Sequence, residues 1–225
     1  MQQQRATDMV RNELWYIKIM YFVVVIASIL NVVMREKSIV SIFFTLVLIS
    51  VLIITRLTDA REPFRLYLVL SVVAFVSDVS YMGNSEYTLK SISQLISDCL
   101  HFFFTGFVVF LIASEIFQKK KITKDAVAGG VCIYLLLADM WSLVYANLYL
   151  LDNMSFHAPD GTVSSFDCLF FSFTTFTTTG YGDIVPVTML AKSIAMSESV
   201  TGVMLPAVFI SRLVGLYDNS AAEGG

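Results

Sequence analysis

Charge is what this sequence has least of. Of its 225 residues only 15% are Asp, Glu, Lys or Arg, while 56% are hydrophobic; a soluble domain carries about a quarter charged residues. A disordered chain needs the opposite balance. A net charge of -3 leaves no basic excess for nucleic acid. With Pro 4 and Gly 11, the chain is no Pro/Gly-rich linker. Cys99, Cys132 and Cys168 are separated and odd in number, which speaks against a disulfide framework, and they read as small buried apolar residues. His101 and His157 stand far apart and give no zinc spacing. No nucleophile–base pair or Gly-rich phosphate loop is apparent. A mean hydropathy of +0.73 and long uncharged runs make this an integral membrane protein.

A membrane helix needs about 20 residues, rising 1.5 Å each, to cross about 30 Å of hydrocarbon. Six stretches qualify: Leu14–Met34, Ile39–Leu57, Phe64–Met82, Ser91–Phe117, Ala126–Leu151 and Thr188–Tyr217. A seventh, Phe166–Thr177, is too short and reads as a re-entrant helix, with Ser165 as its cap and Asp167 in its first turn. The first run is preceded by a polar head and followed by no small-residue cleavage site, so it reads as a retained span. Placing both termini in the cytoplasm leaves only Arg35, Lys37, Lys90 and Lys192 outside and every other Lys and Arg inside, as the positive-inside rule requires. The Asp152–Ser165 loop is then external and carries Asp152 and Asp160 but no cation.

The informative stretch follows the short helix: Thr174-Thr175-Phe176-Thr177-Thr178-Thr179-Gly180-Tyr181-Gly182-Asp183. Extended backbone at membrane depth is tolerated only where protein buries it or water lines it. Gly180 and Gly182 accept φ > 0, so successive peptides can turn their carbonyls to one side. Repeated around an axis, such a row of oxygens replaces the water shell of a dehydrated cation. The Thr178 hydroxyl adds an innermost ring, and Tyr181 points away from the axis.

Thr178-Thr179-Gly180-Tyr181-Gly182 resembles the selectivity filter of tetrameric potassium channels. Thr175-x-x-Thr178-x-Gly180-Tyr181-Gly182-Asp183 matches the wider signature of that family, and the helix–loop–helix unit extends the resemblance over Ala126–Tyr217. The resemblance implies an all-α fold: six transmembrane helices plus a re-entrant pore helix and filter, assembled as a fourfold homotetramer. It implies a peripheral four-helix domain over 1–120, a pore domain over 121–217 and a short tail over 218–225, whose last residues look truncated or vector-derived. The implied function is passive K⁺ conduction at the plasma membrane, with K⁺ ions in the filter, no other metal and no cofactor. This sequence departs from the family pattern in three places. Thr179 stands where Val is usual, Phe170 and Phe171 where many members have Trp, and Thr174 where some have Glu. Asp183 at the outer mouth thereby loses an indole or carboxyl partner.

In the sixth span, Pro206 cannot donate to the carbonyl of Gly202, so a kink is expected. The resemblance makes Gly202 a gating hinge, with Phe209 or Ile210 as a hydrophobic constriction below it. Glu198, one turn before Gly202, is costly at membrane depth. It is expected to reach the back of the pore helix near the hydroxyls of Thr174 and Thr175, or to sit protonated. Asp78, Asp98, His101 and Asp139 lie in or near spans and should face protein or water. Lys119, Lys120 and Lys121 form an inner-surface anchor and a candidate anionic-lipid site.

A voltage sensor moves several cations through the field, each worth about 2.3 kcal/mol per 100 mV. Ser91–Phe117 contains no Arg or Lys, so strong voltage gating is not expected. Two alternatives stay open: a less selective monovalent cation pore, and a membrane sensor built on the first four spans.

Overall fold

The computed structural model describes residues 87–118, 124–159 and 161–222. The first three expected spans, Asp78, Asp160 and the Lys119–Lys121 run lie outside the described residues. Four helices and two very short strands follow in order: α1 (Tyr87–Gln118), α2 (Lys124–Leu151), β1 (Phe156–His157), α3 (Ser165–Phe176), β2 (Val185–Pro186) and α4 (Met189–Ala222). Three of these helices carry stretches long and apolar enough to cross a membrane, at Ser91–Ser114, Ala126–Leu151 and Met189–Arg212. At 12 residues, α3 rises only about 18 Å and cannot cross. The described part is thus an all-α membrane unit. Its helices begin and end close to the expected bounds, except that α4 continues past Tyr217 to Ala222.

Buried positions recur every three or four residues, as a helix with one covered face requires. On α1 this stripe changes character along its length. It is polar at Ser93, Ser97, Asp98 and Thr105, then apolar at Val108, Ile112 and Ile116. The apolar half packs on α2 residues Ala126, Ile133 and Leu136. Asp139 is buried on α2. On α4 the covered stripe is Ala191, Ala195, Glu198 and Gly202. Its hydroxyls satisfy themselves: Ser193, Ser197, Ser199, Thr201 and Ser211 each donate to the carbonyl four residues back. That is how hydroxyl side chains are tolerated where no water competes.

The second core lies between α2, α3 and the outer loop. Tyr145, Phe156 and Phe171 meet edge to face with ring centroids 4.9–5.5 Å apart, the favoured geometry for aromatic rings. This cluster explains the two-stranded pairing. Burying Phe156 brings β1 against β2, with Phe156 opposite Pro186 and His157 opposite Val185 in antiparallel register. The Val187 amide adds a bond to the Ser155 carbonyl at 2.8 Å. The segment leaving the re-entrant loop is therefore anchored to the loop that enters it.

Candidate functional site

The entry to α3 is fixed by a capping box. The Ser164 hydroxyl accepts from the Asp167 amide at 3.1 Å, while the Asp167 carboxylate accepts from the Ser164 amide at 2.8 Å. The cap is therefore Ser164 and not Ser165, which is the first helical residue. The Ser-x-x-Asp spacing serves Ser164 only, because the cap hydroxyl must reach the third helical amide.

At the other end, α3 passes into the exit strand through its own last carbonyls. The Thr174 carbonyl accepts from the amides of Thr179 and Gly180 at 2.8 and 3.1 Å, and the Thr175 carbonyl from Thr178 at 3.0 Å. These bonds turn the strand's amides back toward the helix. The expected left-handed backbone is present at Gly180 (φ +56°) and Gly182 (φ +80°), and Thr178 shares it at φ +58°. Thr179 and Tyr181 do not. In an ordinary strand successive carbonyls point to opposite sides. Alternating the sign of φ at every second residue rotates alternate peptides, the backbone pattern that allows successive carbonyls to face one way. Thr178 is unusual, since a β-branched residue at positive φ is strained. All five residues are exposed on the single chain.

What lies behind the strand departs from the expected cuff in a defined way. The Phe170 ring stacks on Tyr181 at 5.7 Å between centroids and 15° between planes. The aromatic contact is there, without a hydrogen bond. Thr179 and Thr177 hydroxyls lie 2.9 Å apart, and Thr177 donates to the Phe173 carbonyl at 2.7 Å. With the Thr177 proton so used, Thr179 must be the donor in the pair. The hydroxyl that replaces a methyl group thus ties the strand to α3. Asp183 accepts from the neighbouring Ile184 amide at 3.0 Å, and Thr174 donates to the Phe171 carbonyl at 3.0 Å.

Glu198 does reach the back of α3, but not at Thr174 or Thr175. Fully buried, it lies against the Ser172 hydroxyl at 2.5 Å and accepts from the Tyr145 hydroxyl. Ser172 faces α4 one helical turn nearer the start of α3 than Thr175 or Phe176. Gly202, one turn further along α4, meets the end of α3 directly: a β-carbon there would overlap the Phe176 carbonyl oxygen. Tyr134 of α2 donates to that same carbonyl at 3.2 Å. Glu198 and Gly202 thus press α4 against α3 at two levels. Tyr145, Ser172, Tyr134 and Thr177 were not singled out from the sequence. Their partners are 26–53 residues away for the three interhelical bonds, beyond the reach of any local pattern.

Below Gly202 the chain stays helical through Pro206. Phe209 turns toward α2, where a β-carbon on Gly130 would come within 2.5 Å of its ring. Ile210 is exposed on the single chain. Of the two expected constriction residues, then, only Ile210 is free to face an axis. Arg212 donates to the Phe117 carbonyl near the end of α1, with its guanidinium 4.6 Å from the Phe117 ring centre. This contact, too, was not anticipated.

Comparison with known proteins returned one family. A family model described as an ion channel matches residues 129–218, the stretch from mid-α2 through the exit strand and most of α4. No curated protein and no solved structure matched the chain. The match begins at the Gly129–Gly130 pair and covers every contact described between α2, α3, the exit strand and α4. Over residues 129–218 the helix, re-entrant helix, strand and helix are similar to those of an ion-channel family, a likeness that points to membrane transport rather than to enzyme chemistry.

Proposed function

We propose that the protein is a potassium-selective channel whose filter is Thr178-Thr179-Gly180-Tyr181-Gly182. One observation carries this reading: the alternation of positive φ at Thr178, Gly180 and Gly182, with the amides of Thr178, Thr179 and Gly180 tied back to Thr174 and Thr175. Carbonyls aimed one way are what a dehydrated cation requires. One chain supplies one such row, so four copies around an axis complete the cage. Exposed Tyr181, Met196, Val200, Val203 and Met204 on the single chain support further copies alongside. Asp183 lies at the outer mouth and attracts cations there. Splaying of α4 takes place at Pro206, below the packed Gly202, and Ile210 closes the inner end.

The remaining features follow from the same reading. K⁺ is the ion held in the filter, and no other metal or cofactor is required. Six spans place both termini in the cytoplasm, with the channel in the plasma membrane. Lys119, Lys120 and Lys121 meet anionic lipid at the inner surface. With no cation in the membrane part of α1, open probability stays nearly constant between about -100 and +100 mV. The direct test is ion flux from purified protein in liposomes. Flux carried by K⁺ and not by Na⁺ supports the reading. Equal flux of both ions replaces it by a less selective cation pore, and no flux of either ion removes it.

A further inference from the structure

The buried carboxyl group of Glu198 stands in a hydrogen-bond chain whose protons can be counted. The Ser172 hydroxyl lies 2.6 Å from the Ala138 carbonyl and 2.5 Å from Glu198 Oε1. A hydroxyl has one proton, and a carbonyl only accepts. If Ser172 gives its proton to Ala138, the contact with Glu198 is a hydrogen bond only when Oε1 carries a proton and donates. If Ser172 gives it to Glu198, two lone-pair oxygens are left facing each other at the Ala138 contact. The other carboxyl oxygen meets Tyr145, whose hydroxyl brings its own proton. A neutral Glu198 satisfies every contact, whereas a carboxylate strands one.

From this geometry we infer that Glu198 is a proton donor, held neutral, and acts as a positioning residue for the pore helix. The chain runs from Tyr145 on α2 to Glu198 on α4, to Ser172 on α3, and back to Ala138 on α2. It therefore joins the three helices around the filter at one buried point, one turn above the contact of Gly202 with the Phe176 carbonyl. Losing the proton puts an uncompensated charge there and forces Ser172 to leave Ala138. The pore helix then loses this tie to α2 and keeps the one from Tyr134 to the Phe176 carbonyl. Among the described side chains, the other titratable or charged groups on these elements are Cys132, Tyr134, Asp139 and Tyr149 on α2, Asp167 and Cys168 on α3, and Lys192 and Arg212 on α4. Asp167 is engaged in the capping box and Lys192 is exposed. Neither belongs to this chain of bonds.

The inference rests on the channel reading for its flux arm and is independent of it in its spectroscopic arm. Infrared difference spectra of the purified wild-type protein against Glu198→Gln will show a protonated-carboxyl band at neutral pH, in Tyr145→Phe as well. In liposomes, Glu198→Gln will conduct K⁺ within about twofold of wild type, because its amide donates to Ser172 and accepts from Tyr145. Glu198→Leu will lose about tenfold or more, since it strands the buried hydroxyl groups of Ser172 and Tyr145. Wild-type flux will fall as the pH is raised, and Glu198→Gln will not follow it. A missing acid band overturns the proposal, as does a Glu198→Gln variant no better than Glu198→Leu. If wild-type protein shows the band but carries no ion flux, the donor stands and the channel reading falls.

Discussion

The two ends of α4 are held in opposite ways. At its outer half, Glu198 and Gly202 press on the pore helix through buried polar bonds and a backbone contact that admits no β-carbon. The exit strand beside it is bound by the last carbonyls of its own helix. At its inner half, α4 touches the rest of the chain through the Phe209 ring on Gly130 and Arg212 on Phe117, while Val208, Ile210 and Val214 are exposed. One end is determined several times over. Among the described residues, the other is held by Leu205, a ring and a long side chain. On the proposed reading, selectivity draws on the first property and gating on the second, with Pro206 between them.

This contrast can be broken most severely at Gly202. Alanine there drives a β-carbon into the Phe176 carbonyl, which belongs to backbone and cannot step aside. Overpacking of this kind costs about 1–3 kcal/mol, and Gly202→Ala should lower the melting temperature and abolish selective conduction together. Wild-type selectivity in that variant would show that the contact does not position the filter. Gly130→Ala should do less, because its obstacle is the far end of a side chain. It should alter open probability and leave K⁺/Na⁺ selectivity intact, and Phe209→Ala should relieve it, with a coupling of about 0.5–3 kcal/mol in a double-mutant cycle. Additive effects would mean that the two residues act separately. The smallest change is expected for Thr179→Val. It removes one hydroxyl bond worth about 1 kcal/mol and keeps the carbonyl, so selectivity should persist. Current decline during sustained recording should become faster. An unchanged decline would leave the Thr177–Thr179 pair without a role in holding the strand.

The same contrast sorts what could be read from the sequence. The short helix, the spans around it and left-handed backbone at Gly180 and Gly182 were legible, because each depends on residues a few positions apart. Thr178 was not, since a β-branched residue gives no sign that it will adopt φ +58°. Nor was the pairing of Phe156 with Pro186, which follows from burying one ring against Tyr145 and Phe171. For Glu198 the sequence pointed to the right helix and the wrong residues, Thr174 and Thr175 in place of Ser172. A shift of one turn between packed helices is set by side-chain shapes along the whole interface. Gly202 was expected as a hinge from the resemblance, and its packing against Phe176, which no local pattern announces, comes from the structure. The cap was read one residue late, at Ser165, although the spacing from Ser164 to Asp167 carried the signal.

The central claim is that alternating backbone handedness, and not side-chain identity, makes the filter. Gly180 tests it most directly, because its φ is +56° and no atom lies within 4 Å of an added β-carbon on the single chain. Gly180→Ala should therefore be made by chemical synthesis in both its L and D forms, and reversal potentials measured with K⁺ on one side of a bilayer and Na⁺ on the other. L-alanine disfavours positive φ by about 1–2 kcal/mol, while its mirror image prefers it. The account predicts that the D form stays K⁺-selective and the L form does not. Equal selectivity in the two forms, whether kept or lost, would contradict it.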